Sequence, residues 1–191
     1  MSSLQALPAD FYNRDAEIVA RELLGAELHV QSAEGLTSGR ITETEAYLGL
    51  HDAACHAVAG RTLRTWHLFG PPGTAYVYFV YGMHWCVNAV TGEEGIGSAV
   101  LIRAVQPLVG IELMRKRRPR ARSDALLCNG PAKLCAAFAI DRTYDGVMLT
   151  GDSAISIVRG IAVPDANVVV GPRIGITKAV DLPLRFLVRD A

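Results

Sequence analysis

Glu43 and Glu45 stand two residues apart in the run Glu43-Thr44-Glu45-Ala46-Tyr47. In an extended strand that spacing places both carboxylates and the Tyr47 phenol on one face. A carboxylate beside a sugar can stabilise an oxocarbenium-like state and take a proton from the attacking water. The same pattern also suits a solvent-facing edge strand, because a buried carboxylate is costly unless it is paired. Tyr76 and Tyr78, in Tyr76-Val77-Tyr78-Phe79-Val80-Tyr81-Gly82, share a face of a second strand, with Val77 and Phe79 on the other. Aromatic faces hold unpaired bases by stacking, although tyrosine also suits any strand. Leu101-Ile102-Arg103-Ala104 sets an arginine inside an apolar strand, where it needs either a structural salt bridge or an active-site partner. Acid, arginine and stacked tyrosines together describe hydrolysis at a sugar that carries a flat aromatic group.

The histidines are less specific. His51, Cys55 and His56 are close in sequence, but no second cluster at zinc spacing completes a ligand set, so a hydrogen-bonding histidine in a pocket is the better reading. No metal or other cofactor is expected. Cys55, Cys86, Cys128 and Cys135 make no CxxC pair and read as small buried apolar residues.

These groups need a scaffold. The 191 residues, half of them hydrophobic, suit one well-buried domain spanning residues 1–191. Asp15 to Leu24 has helical spacing and stops at Gly25; Leu28 to Gln31 and Ser38 to Tyr47 read as strands around a turn near Glu34. Leu48 to Gly73 has no steady period and reads as a long functional loop. Thr74 to Tyr81, Trp85 to Val90 and Ser98 to Val105 read as sheet partners, and Leu108 to Arg117 and Pro131 to Ile140 as helices. Short strands are expected at Val147 to Leu149, Ile155 to Val158, Asn167 to Val170 and Arg185 to Arg189. The order is mixed α+β rather than alternating βαβ.

Charge and targeting narrow the setting. The net charge is zero, which argues mildly against nucleic acid. Of 19 basic residues, however, only Lys116, Lys133 and Lys178 are lysine, and Arg115 to Arg122 is a dense basic run. That run reads either as a solvated helix end or as a phosphate-binding surface. The N-terminus shows no secretory signal and the chain no apolar stretch long enough to cross a bilayer, so a cytoplasmic protein with no membrane partner is expected.

The chain resembles the alkyladenine (3-methylpurine) DNA glycosylases. The resemblance rests on Gly39-Arg40, Glu43 to Gly49, Asp52-Ala53-Ala54 with His56, Pro72-Gly73-Thr74, Tyr76-Val77-Tyr78, and Tyr81-Gly82-Met83 with Cys86 and Asn88. It continues through Leu101 to Ala104, Gly130-Pro131, Lys133-Leu134-Cys135, Arg173-Ile174-Gly175 and Pro183 to Phe186, in the family's order. It implies one mixed α/β domain around a curved antiparallel sheet, with flanking helices and a protruding hairpin. It implies a monomer that flips an alkylated or deaminated purine from damaged duplex DNA and hydrolyses the N-glycosidic bond. Glu45 matches the general base and Arg103 the arginine that positions the water and the flipped nucleotide. Tyr47, His56 and Tyr78 match pocket walls, with Ala54 and Leu101 beside them, and Asn88 matches the residue that discriminates among purines. Tyr81 matches the minor-groove wedge, with Met83 and His84 next to it on the hairpin. His84-Trp85 stands where better-known vertebrate members carry Tyr-Phe. No lysine is expected beside the acid–tyrosine constellation, which points to hydrolysis without a Schiff base.

Two other classes fit parts of the pattern. A DNA-binding module without catalysis would need no acid beneath its pocket, and a hydrolase of free nucleosides would leave the Tyr81 position and the arginine run without purpose. Salt-dependent affinity for duplex DNA separates the two.

Overall fold

The architecture is set by one strand of unusual length. The computed structural model describes residues 5–80 and 82–189. Two short helices, α1 (Ala9–Tyr12) and α2 (Ala16–Glu22), precede strands β1 (Glu27–Ser32) and β2 (Gly35–Tyr47). After the irregular segment come β3 (Ala75–Val80), β4 (His84–Thr91) and β5 (Ser98–Val109), then helices α3 (Ile111–Arg117) and α4 (Pro131–Phe138). Strands β6 (Ile155–Val158), β7 (Val168–Gly171) and β8 (Arg185–Val188) complete the sheet.

The main sheet runs β3-β4-β5-β2-β1-β6, and every pairing is antiparallel. β2 changes partner along one edge: Gly35 to Arg40 pair with β1, whereas Glu43 to Glu45 pair with β8. Three register shifts interrupt its other edge against β5. Bulges increase twist and bend a strand, which curls the sheet into a half-barrel. The fold is thus the expected curved antiparallel sheet with flanking helices.

Alternation divides the sheet's two faces. Ala46, Val77, Val87, Ala89, Val100 and Ile102 join the main core, which includes Leu134, Ala137 and Phe138 of α4 and Val19 and Ala20 of α2. The opposite face carries a second apolar cluster, in which Tyr76, Val90 and Ala99 meet Cys55, Ala57, Leu68 and Phe69. Those last four residues belong to the segment that shows no period in sequence. It folds as 3₁₀ turns at Gly49–His51, His56–Ala59 and Trp66–Phe69, and so covers the second face with short pieces. All four cysteines are buried and unpaired.

Several element boundaries differ from the sequence reading. Leu108 and Val109 continue β5, and the helix expected from Leu108 starts only at Ile111. Gly110 makes the break at φ +74°, where a Cβ would come within 2.4 Å of the Leu36 carbonyl oxygen. Val147 to Leu149 is no strand. It forms one bridge just ahead of β3, Thr74 with Met148, and touches β3 through the Ala75 N–H to the Val147 carbonyl at 2.7 Å. The helix expected to reach Ile140 closes at Phe138, because Ala139 turns left-handed at φ +55°. Helix α1 gave no periodic signal; it is a single turn. Among the described residues no helix is long and apolar enough to cross a membrane.

Candidate active site

The sheet's register assembles the site. Tyr76 pairs with Asn88, Asn88 with Leu101, Leu101 with Glu45, and Glu45 with Arg185. Directly paired residues share a face, so these five side chains form one row across β3, β4, β5, β2 and β8. Tyr47 and Tyr78 lie two residues farther along their strands, on the same face. The edge-strand reading of Glu43 to Tyr47 therefore fails: β2 is central, and Glu45 is fully buried.

Arg103 stands two residues beyond Leu101, on the same face of β5, at a defect in the ladder. Glu43 faces Ala104 and Thr44 faces Ile102, which leaves Arg103 as the extra residue of a bulge. Arg103 Nε donates to Glu43 at 2.8 Å, and its Nη1 lies 3.2 Å from Glu45 Oε1. The two alternatives for this arginine are thus both met, because its salt-bridge partners are the site's own carboxylates. Glu43 also accepts from Arg185 Nη1 at 3.0 Å.

Glu45 is surrounded by donors. The Ile174 main-chain N–H donates to Oε1 at 2.7 Å, and the Tyr47 hydroxyl donates to Oε2 at 3.0 Å. With the Arg103 guanidinium 3.2 Å from Oε1, two hydrogen-bond donors and a cation converge on this carboxylate. Burial, and then the Glu45 charge, push the Tyr47 phenol up, so it stays protonated and keeps donating.

A cavity of about 850 Å³ lies against this row. Tyr47, Ala54, His56, Tyr78, Asn88 and Leu101 all line it, as does Arg103. His56 Nδ1 is 3.0 Å from the Tyr76 hydroxyl, and its ring meets Tyr78 edge-on at 4.5 Å between centroids. The Asn88 side-chain amide donates to the Tyr76 carbonyl at 3.0 Å, which fixes its rotamer in the wall. His84 lines the mouth, while Met83 is exposed at the hairpin turn, away from the lining. Tyr81 lies outside the described residues.

Burial, with a smaller push from the Arg64 charge, lowers the His56 pKa below 6.5. A ring that resists its proton in the fold withdraws stability as pH falls through the unfolded value, and withdraws none above it. His56 is therefore expected to titrate below pH 6.5 when followed by its imidazole proton shifts. A midpoint above that value would mean that an acidic partner holds the ring charged.

Two features of the site were not legible in sequence. The first is the pair Arg173 and Asp52, both fully buried. Arg173 donates from both terminal nitrogens to Asp52, donates from Nη1 to the Ala46 carbonyl at 3.0 Å, and lies 4.7 Å over the Tyr47 ring. Asp52 also accepts from the Leu48 and Ala54 main-chain N–H groups. The pair thus pins the loops after Tyr47 and after Gly171 to the end of β2, and brings the Ile174 N–H onto Glu45. Both residues belong to stretches that carry the resemblance, but nothing in their spacing showed that they meet.

The second corrects an expectation. Lys178 was expected away from the acid and the tyrosines, yet the loop pinned by Arg173 carries it into the cavity lining. The arginine run lies elsewhere. Arg115 bonds Asp124, Lys116 and Arg117 bond Glu34, and Arg118 donates to the Leu126 and Leu127 carbonyls. Glu34 sits at the β1–β2 turn, the opposite end of β2 from Tyr47, so Arg115, Lys116 and Arg117 serve ion pairs away from the cavity. Among the described residues no group of three or more His, Cys, Asp or Glu converges as a metal set.

The sequence pattern of methylpurine-DNA glycosylases matches residues 10–191. A Carboxydothermus hydrogenoformans protein is 47% identical over 184 residues, 96% of this chain and 95% of that protein. Its provisional name is 3-methyladenine DNA glycosylase. Proteins of the same provisional name from Burkholderia lata and Methanoculleus marisnigri are each 48% identical, over 95% and 97% of this chain and 87% and 96% of their own lengths. The cavity, its buried carboxylate and its aromatic wall therefore sit in a chain that belongs to the methylpurine-DNA glycosylase family.

Proposed function

We propose that this protein acts as a monomer, forming one domain over its whole length, that extrudes an alkylated or deaminated purine from damaged duplex DNA and hydrolyses the N-glycosidic bond, leaving an abasic site. The observation that carries the reading is Glu45, fully buried behind Tyr47, Arg103 and Ile174, which line the aromatic-walled cavity and hold its carboxylate. With one hydrogen bond on Oε2, that oxygen keeps a lone pair for a water. As the bond from C1′ to the base nitrogen breaks, its electron pair leaves with the purine. The water adds to C1′ and passes its proton to Glu45, whose charge stabilises the cationic sugar on the way.

The walls suit the base. Extrusion costs a few kcal/mol, and each stacked aromatic returns about 1–3 kcal/mol. Burial raises the phenol pKa values of Tyr47, Tyr76 and Tyr78, so the rings stay neutral and electron-rich. Such faces favour the positive charge of an alkylated purine. Asn88 is the wall residue we assign to discrimination among purines, with Ala54, His56 and Leu101 shaping the remainder. Met83 and His84 are assigned to the DNA-facing hairpin together with Tyr81. The site works without metal, and the protein acts at the nucleoid.

The reading is tested with duplexes carrying one hypoxanthine or ethenoadenine, and with methylated DNA, all in EDTA, abasic sites being revealed by alkali. Release of at least one base is expected; release from none would sink it in favour of a DNA-binding module. Lys178 in the lining makes a second measurement necessary. Borohydride added during turnover is expected to trap no enzyme–DNA adduct, because hydrolysis needs no amine. An adduct that disappears in Lys178→Ala would show a Schiff base and a lyase instead.

A further inference from the structure

The chain carries no net charge, yet its cavity is not neutral. The ionic side chains in the lining are Arg64, Arg103 and Lys178 with the histidines His56 and His84, and among the described residues no Asp or Glu lines it. Arg103 is balanced from behind by Glu43 and Glu45. Arg64 and Lys178 form no ion pair among the described residues, and both are exposed.

Their placement is two-sided. Arg64 comes from the loop between Gly60 and Trp66 and leans on β3, its Nη2 3.4 Å from the Phe79 carbonyl and its guanidinium 5.8 Å from the Tyr78 ring centre. Lys178 comes from the loop whose Ile174 N–H bonds Glu45 on β2. Strands β4 and β5 lie between β3 and β2. Two unpaired cations thus reach the cavity from loops bonded to β3 and to β2, around a wall that stacks, with Glu45 buried behind the lining residues Tyr47 and Arg103. A ligand whose flat part fills the cavity and whose two flanking groups are anionic would match that arrangement.

We propose that Arg64 and Lys178 form a clamp for the two phosphates on either side of the extruded nucleotide. The proposal rests on the glycosylase reading above. With the base inside, the sugar lies at the mouth, and the phosphodiesters on its two sides meet the rim from opposite directions. Arginine offers a fork and lysine a point charge, and either serves a phosphate oxygen. The clamp acts only once the backbone has been drawn to the cavity, so it favours the extruded state over the stacked one.

The test measures binding by fluorescence anisotropy over a salt series, with a duplex holding one tetrahydrofuran abasic analogue and with the same duplex undamaged. Each neutralised phosphate contributes about 0.9 to the slope of log K against log salt. Arg64→Ala and Lys178→Ala are each expected to reduce the wild-type slope by about 0.9 on the analogue, and the double variant by about 1.8. Arg64→Lys and Lys178→Arg should retain it, which separates lost charge from lost folding. On undamaged duplex the alanine variants should match wild type. Unchanged slopes on the analogue would overturn the clamp alone, and an equal loss on undamaged duplex would overturn its assignment to the extruded nucleotide. A wild-type protein without salt-dependent binding to either duplex would overturn the glycosylase reading and the clamp with it.

Discussion

Glu45→Gln is expected to lower the single-turnover rate of base release by about 10²–10⁴-fold, the range that a positioned base contributes, while the protein stays folded and binds DNA. The geometry explains why glutamine is tolerated. Its amide oxygen can take the place of Oε1, accept from the Ile174 N–H and stay beside Arg103, while its NH₂ donates to the Tyr47 hydroxyl, which reverses its role. What is lost is the negative charge and the ability to take a proton. Glu45→Ala should behave differently. It removes one partner of the buried Arg103 and leaves the Ile174 N–H and the Tyr47 hydroxyl without their acceptor, so it is expected to destabilise the fold as well. Rates from quenched single-turnover reactions and melting curves for both variants separate the two effects. A glutamine variant as active as wild type would remove Glu45 from the chemistry.

Asp52→Asn is expected to cost about 3–5 kcal/mol, because it leaves the fully buried Arg173 charge without its partner. For a chain of this length that is a fall in Tm on the order of 10 °C. Burial alone would raise the Asp52 pKa, but Arg173 and the Ala54 and Leu48 N–H groups outweigh it and hold it below 3.8. A depressed carboxylate stabilises the fold above its unfolded value, and that contribution drains away as pH drops through the folded one. Wild type should therefore lose stability on acidification below about pH 3.8 more steeply than the asparagine variant, which lacks this group. Urea midpoints at several pH values measure both. Parallel acid limbs in the two proteins would mean that Arg173 finds another partner.

The parts of the site carried by strands were legible because a strand has a period of two. Glu43, Glu45 and Tyr47 share a face, as do Tyr76 and Tyr78, and the sheet places them so. The period could not show that Glu45, Leu101, Asn88 and Tyr76 form a single row, because register is a property of pairing rather than of any one strand. Nor could it show that Arg103 meets two carboxylates, or that a bulge falls at its position. The loops were the least legible. Lys178 and Arg64 stand in irregular segments whose course depends on contacts such as Arg173 with Asp52, 121 residues apart. Composition misled in one respect: the arginine run drew attention, although Arg115, Lys116, Arg117 and Arg118 are held by Glu34, Asp124 and nearby carbonyls. Two isolated cations, Arg64 and Lys178, face the cavity instead.

The change of partner along β2 has a consequence for how the protein comes into being on the ribosome. Tyr47 and Glu45 are made early, but the strand beside them, β8, and the loop that carries Arg173 and Ile174 are made late. A nascent chain that stops before Arg173 holds the acid without its main-chain donor, leaves Asp52 without its cation, and leaves one edge of β2 open. The acid therefore gains its donor and its covered edge only after residues 173–188 have emerged, so a product truncated before Arg173 is expected to be inert.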